Sequence, residues 1–318
     1  MLIQIVILVA GLILVLMGAN WLVDGSSSVA RRFGISEFVI GLTIVGIGTS
    51  TPEMVVSFLS AFQGKSSMAV GNIVGSNIFN TLMILGATAL VAPVAITRSN
   101  LKKDIPLNIM VTALLILLGR SATMLGIGNS DIISRSEGLI LLAIFGLYLW
   151  DSFRSGKQEV EENVNDNIKP AMSAVMILGG LAGLIIGGRL FVNSATQIAQ
   201  LAGLSEKFIA ITIMAAGTSM PELATCVVAA AKGQGQLALG NVLGSNISNI
   251  LLILGGSALI HPLSFEGIST MDLTVMIGSA VLIFITAITF KKDKIDRVEG
   301  GIFLALQIAY MTYLITSI

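Results

Sequence analysis

What this chain lacks narrows its function before any motif is read. It holds one cysteine, Cys226, and one histidine, His261, too few for a disulfide framework or a Cys/His zinc site. Only 11% of its 318 residues are charged, less than half of the roughly 25% typical of a soluble domain. Formal net charge is zero, which argues against nucleic acid or another polyanion as partner. With 54% hydrophobic residues, the bulk of the chain must face lipid, and an all-α, multi-pass membrane protein is expected. The apolar run 5–19 has no basic leader, since the first Lys or Arg is Arg31, and no cleavage site stands out. It reads as the first transmembrane helix and not as a signal peptide.

Hydropathy predicts ten transmembrane helices: 2–23, 37–63, 68–92, 105–119, 137–150, 172–192, 208–231, 237–260, 273–290 and 300–316. The fourth and fifth fall short of the ~20 residues a bilayer requires. They are expected to draw on the 120–136 linker, which carries Arg120, Asp131 and Arg135. Loops after odd-numbered spans hold 13 Lys and Arg residues and the opposite loops four, with Arg189 inside a span. The positive-inside rule then places both termini outside the cytoplasm, in the cell's inner (plasma) membrane. The hydrophilic stretch 151–170 reads as a flexible cytoplasmic linker between a first half, 1–150 (spans 1–5), and a second, 171–318 (spans 6–10). Trp21 and Trp150 fit interfacial anchors.

The halves are related. At an offset of 169, residues 36–90 align with 205–259 without a gap, with 26 identities in 55 positions. Arg135-x-Glu137-Gly138 resembles Arg297-x-Glu299-Gly300 at an offset of 162. Five spans per half is an odd number, so the second half must be inverted relative to the first. Two inverted five-helix repeats are an architecture of secondary transporters, with the site near the midplane where the repeats meet.

Two segments in each half break the rules of an apolar helix. Gly48-Thr-Ser-Thr-Pro52-Glu53 recurs as Gly217-Thr-Ser-Met-Pro221-Glu222. Proline removes a donor and clashes with the preceding turn, so the helix is expected to break here. A break frees carbonyl oxygens, tolerable at membrane depth only where they line a cavity or bind an ion. The carboxylate follows in the first turn of the next half-helix, where the dipole favours an anion. Gly71-Asn72-x-x-Gly75-Ser76-Asn77-x-x-Asn80 recurs as Gly240-Asn241-x-x-Gly244-Ser245-Asn246-x-x-Asn249, with Ser76/Asn80 and Ser245/Asn249 each on one face.

These segments offer hard oxygen ligands alone, a set that suits Ca²⁺ or Na⁺. Two carboxylates ~6 Å apart repel by roughly 3 kcal/mol at an effective dielectric of 20. One Ca²⁺ cancels that charge, and so do two or three Na⁺. A structural kink, or a Glu paired with a base, is the bland alternative, but the motif occurs twice and the one intramembrane base is Arg189. For Asn72, Asn77, Asn241 and Asn246, interhelical hydrogen bonding is as good a reading as ligation. Asn20, Asp24 and Asn193 are expected to tie helix ends or line an access path. Cys226 and His261 read as structural, and the 14 Met as packing.

The paired Gly-Thr-Ser-x-Pro-Glu and Gly-Ser-Asn-Ile-x-Asn motifs resemble the two alpha-repeats of the calcium/cation antiporter superfamily, in its prokaryotic sodium/calcium exchanger branch. The resemblance covers the whole chain. It implies a core of spans 2, 3, 7 and 8, across which spans 1 and 6 slide as a gate. Calcium would be ligated by Glu53 and Glu222 with carbonyls of Thr49 and Thr218. Sodium would use Ser50, Ser76, Ser219 and Ser245, with carbonyls near Gly46 and Ala215. Asn249, matching Asn80, stands where many prokaryotic and potassium-dependent relatives carry Asp, which puts potassium dependence in doubt.

The function expected is antiport, with sodium, three per calcium, driving calcium across the membrane by alternating access. Transported Ca²⁺ and Na⁺ and the lipid bilayer are the partners implied; no cofactor and no soluble protein partner is evident. A calcium/proton antiporter is the nearest alternative, although proton carriage needs no Ser50/Ser219 pair. A channel would need an axis of assembly that a two-fold repeat does not supply. An intramembrane enzyme would need a base, and the chain's single His lies in a loop-like position beside Pro262.

Overall fold

The computed structural model describes residues 1–126, 130–155, 168–202, 215–289 and 293–316. Apart from four two-residue strands, the regular structure is helical. In chain order the helices are α1 (Leu2–Phe33), α2 (Glu37–Thr49), α3 (Thr51–Phe62), α4 (Ser66–Val91), α5 (Ile105–Gly119), α6 (Ser121–Leu125), α7 (Arg135–Ser155), α8 (Pro170–Leu201), α9 (Ala215–Thr218), α10 (Met220–Ala231), α11 (Gly235–Ile260), α12 (Thr270–Thr289) and α13 (Arg297–Thr316). Among the described residues, seven helices are long and apolar enough to cross a membrane, and α2 with α3 makes an eighth span bent by 49°. The bend falls at Ser50, just before Pro52, where the sequence expects it.

Several spans differ in extent from their hydropathy. The first runs on to Phe33, where Gly25 packs closely on Ser173 and Met176, and the sixth to Leu201. The fourth gains length from its N-terminal side, through a π-helical turn at Asn100–Asp104, and not from the 120–136 linker. That linker forms the separate helix α6, and the fifth span takes in only Arg135 and Ser136 from it. The helix reading of 208–214, most of the linker 151–170 and Lys207 lie outside the described residues.

Burial sorts the spans. The apolar window of α11 is 94% buried and that of α4 72%, against 22% to 28% for α1, α7, α8 and α13. The helices carrying the Gly-Asn/Gly-Ser-Asn motifs therefore form the centre, and lipid-facing leucines and isoleucines coat the outer ones. Helices α1 and α8 pack against each other along small residues. A Cβ placed on Gly18 would lie 2.7 Å from Gly180 O, and one on Gly180 2.7 Å from the Leu22 nitrogen. Only glycine permits that approach, the usual route to tight packing in lipid.

The two halves interlock. Strand β1 (Val94–Ala95) pairs antiparallel with β4 (Lys294–Ile295), and β2 (Ile132–Ile133) with β3 (Leu263–Ser264). Each ribbon joins one half to the other. Gly86 faces Gly300, and Gly138 faces Gly255, backbone to backbone, so the last span of each half packs on the central helix of its partner.

Candidate functional site

Both acids of the repeated motif are carried beside the helix bends. Ser50 and Ser219 take non-helical conformations at the junctions of α2 with α3 and α9 with α10, and Pro52 and Pro221 occupy the next first turns. Glu53 and Glu222 follow, 0% and 1% exposed. Among the described residues no Lys or Arg bonds to either; their side-chain partners are hydroxyls.

The bonds cross between the halves in matched pairs. Ser219 Oγ donates to Glu53 Oε1 at 3.0 Å, and Ser50 Oγ donates to Glu222 Oε1 at 2.9 Å. Ser76 Oγ lies 3.2 Å from Glu53 Oε1 and 3.3 Å from Ser219 Oγ. Asn80 Nδ2 donates to Asn246 Oδ1 at 3.2 Å, while Asn249 Nδ2 donates to Asn77 Oδ1 at 2.9 Å. The Ser219–Glu53 and Ser50–Glu222 bonds are related by the 169-residue offset, as are the two amide bonds; the Ser76 contacts have no such counterpart, since Ser245 bonds to the Gly46 carbonyl.

The matched positions also leave matched oxygens without a hydrogen-bond partner. Glu53 Oε2, Glu222 Oε2, Asn80 Oδ1 and Asn249 Oδ1 are all buried acceptors with none among the described residues. A buried polar atom is normally paired, and one left open at membrane depth marks a place for a ligand. Asn80 and Asn249 each open a π-helical stretch, Asn80–Ile84 and Asn249–Leu254. Such stretches recur at functional sites because they re-aim side chains and loosen the ladder.

The other expected residues divide. Thr49 Oγ1 sits 3.0 Å from Val45 O and 3.1 Å from Asn241 Oδ1. The Gly46 carbonyl accepts from Ser245 Oγ at 3.2 Å and from the Ser50 nitrogen, so Ser245 braces α2 and does not bond to an acid. Ala215 contributes backbone to α9, and Thr218, at the end of that turn, borders a cleft of about 220 Å³. The cleft lies against α8 and reaches Pro52, Pro221, Arg189 and Asn193. Asn72 donates to the Glu53 carbonyl and to Ser57, and Asn241 donates to Cys226. Both are thus braces. Asp24 ties α1 to Lys232 at 2.7 Å, whereas Asn20 bonds within its own helix. Sequence reading missed Thr81, whose hydroxyl receives Asn246 Nδ2 at 3.0 Å. Its counterpart at the repeat offset is Ile250, so the repeat gave no signal there.

Two cross-linked acids with paired hydroxyls and open oxygens set the frame for comparison with known proteins. The sodium/calcium exchanger protein family matches residues 3–154 and 172–316. The chain belongs to this family. It is 37% identical to the putative antiporter CaxA of Alkalimonas amylolytica over 330 residues, covering 100% of both. It is 33% identical to the sodium/calcium exchanger MaX1 of Methanosarcina acetivorans, covering 97% of each. Its fold matches that of the sodium-calcium exchanger NCX_Mj with a TM-score of 0.83 and 33% identity, covering 98% of each chain. Membership in an exchanger family fits a pair of acids held by hydroxyls and not by bases.

Proposed function

We propose that this exchanger-family protein is a sodium/calcium antiporter that carries its ions by alternating access. Ten spans in two inverted repeats would put both termini on one side, and the Lys and Arg of the loops would make that side extracytoplasmic. The observation that carries this reading is the set of four buried, unpartnered oxygens on Glu53, Glu222, Asn80 and Asn249. All are hard donors, and two belong to carboxylates, which suits a dication or a few sodium ions. The names of MaX1 and NCX_Mj, both sodium/calcium exchangers, agree with it.

Ca²⁺ would bind between Glu53 and Glu222 with carbonyls of Thr49 and Thr218. Na⁺ would use the same acids with Ser50, Ser76, Ser219 and Ser245, the amide oxygens of Asn80 and Asn249, and carbonyls at Gly46 and Ala215. With both acids ionised the empty site carries −2, and burying that charge during reorientation costs several kcal/mol per ion even after relaxation. Ca²⁺ leaves it neutral and three Na⁺ leave it at +1. Both loaded forms cross while the empty one stalls, and the fluxes are coupled. The +1 form makes the cycle voltage-sensitive, by about 2.3 kcal/mol per 100 mV for each net charge.

The test is calcium flux in liposomes under imposed sodium, proton and voltage gradients. Sodium-driven flux that reverses at a defined membrane potential is expected. Flux driven by protons alone would replace sodium as counter-ion, and flux indifferent to voltage would rule out three-for-one exchange.

A further inference from the structure

A second polar cavity, of about 290 Å³, lies outside the two-acid site, between the start of α2, the turn before α5 and the end of α7. Its wall includes Asp104, whose residue is 5% exposed, and Ser152, 4% exposed. Asp104 Oδ2 accepts one hydrogen bond, from Asn100 Nδ2 at 3.2 Å. Asn100 Oδ1 is already committed to the nitrogen and hydroxyl of Thr97. Ser152 lines this cavity, and its one hydroxyl neighbour among the described residues is that of Tyr148.

Next to the cavity the pattern continues. Asn108 stands one turn beyond Asp104 on the same helix face, fully buried, with both amide atoms unpartnered among the described residues. Tyr148, one turn before Ser152 on α7, has Asp104 as its charged neighbour and the Ser152 hydroxyl beside its own. The second half shows how such a group is otherwise closed. Tyr310, at the repeat position of Tyr148, donates to Asp272 Oδ1 at 2.8 Å. In the first half the tyrosine has no such bond, and a cavity adjoins the carboxylate.

Charge fixes the class of ligand. Lys103 borders the cavity but is bound to Asp151 at 2.6 Å, a neutral pair. Asp104 alone remains, a net −1. An anion such as a phosphate would meet that carboxylate without a free cation to offset it. Ca²⁺ wants six to eight oxygens and usually more than one carboxylate. A single alkali cation matches the charge. The Asp104 carboxylate, the Ser152 hydroxyl and water, for which the volume allows roughly ten molecules at ~30 Å³ each, would complete its shell.

We propose that this cavity is a binding site for one monovalent cation, of the Na⁺ class, separate from the transported ions. Phe38 and Val39 of α2 form part of its wall, so occupancy bears on the foot of the span whose far half carries Glu53. The site does not depend on the transport reading, because its residues are not those of the two-acid site.

The experiment is equilibrium binding of ²²Na⁺ to purified protein in which Glu53→Gln and Glu222→Gln are combined. One saturable Na⁺ per chain is expected to remain, undisturbed by equimolar Ca²⁺. Adding Asp104→Asn should abolish it, and Ser152→Ala should weaken it about tenfold. Where the double variant does not fold, the unmodified protein and Ser152→Ala are compared, and the bound Na⁺ count at a fixed subsaturating concentration should drop. No saturable Na⁺ in a folded double variant, binding indifferent to both cavity substitutions, or displacement by equimolar Ca²⁺ would each overturn the proposal.

Discussion

Ser50 Oγ donates to Glu222 Oε1 at 2.9 Å, so the hydroxyl at the bend of one half holds the acid of the other. Ser219 does the same for Glu53 at 3.0 Å. Neither acid is therefore oriented by its own half alone. Ser50→Ala and Ser219→Ala are each expected to weaken apparent sodium affinity at least about tenfold, in line with roughly 1.5–3 kcal/mol for a hydrogen bond to a charged group. Glu53→Gln or Glu222→Gln should abolish calcium transport while the protein still inserts. Flux measured against sodium concentration distinguishes these effects, and near-normal calcium flux in either Gln variant would remove the acids from the site.

Asn249 carries a second expectation. Its Nδ2 donates to Asn77 Oδ1, and an aspartate there would set a carboxylate against a carbonyl oxygen. Transport by the unmodified protein should not change when potassium is replaced by choline. Asn249→Asp should lose about 1–3 kcal/mol of stability, the cost of leaving a buried polar group unpaired, and regain it when a cation is added. Thermal melts with and without sodium or potassium read this directly. A variant as stable as the parent in cation-free buffer would contradict it.

Much of this arrangement was legible in the sequence, because it follows from local rules. The bend before Pro52, the repeat offset and the burial of Glu53 and Glu222 all come from residue spacing and polarity. The reach of α1 to Phe33 was not legible. Hydropathy falls across Asp24-Gly-Ser-Ser-Ser, yet Gly25 packs tightly on α8 and the ladder continues. The π-helical stretch after Asn80 has no periodic signature. The pairing of residues near 94 with residues near 294 is set by tertiary contact and by nothing local. Asn241 and Asn246 were ambiguous for a related reason: an amide that braces and one that ligates look the same in a sequence.

The Asp24–Lys232 ion pair ties α1 to α10 at one end of the fold. At the repeat offset its partners are Asn193 and Gln63, which make no such contact. If transport runs by the alternating access proposed above, the two ends exchange roles, and a charged latch at one end faces an uncharged pair at the other. Exposed pairs contribute about 0.2–1 kcal/mol, a shift of roughly 1.4- to 5-fold in population. Lys232→Gln should shift the population by that amount toward the conformation in which α1 and α10 part. Distance measurements between labels on α1 and α10 check this, and an unchanged distribution would count against a latch.

The turn after α5 responds to acid. Hydrogen bonds from the Thr123 hydroxyl and amide, with Arg120 adding to them, hold Asp131 below the ordinary carboxylate range. A depressed value means the turn is supported at neutral pH. The support diminishes as pH falls below the unfolded value of about 3.9 and through the lower folded one. Amide exchange in 120–126 and 131–134, corrected for intrinsic rates, should therefore rise below about pH 4, and Asp131→Asn should raise it at neutral pH, the two proteins converging in acid. Exchange equally protected in both proteins would show that the carboxylate does not hold the turn.

The paired ribbons bear on how the chain is made. Val94 and Ala95 emerge some two hundred residues before Ile295 and Lys294, their strand partners. Throughout synthesis of the second half, the first waits with an open strand edge, and Gly86 lacks the helix that covers it. Its last span likewise has no central α11 to rest on. The assembly is therefore completed only after the ribosome has delivered α13, and until then the nascent protein depends on the insertion machinery or on lipid to shield what α11 and α13 will later cover.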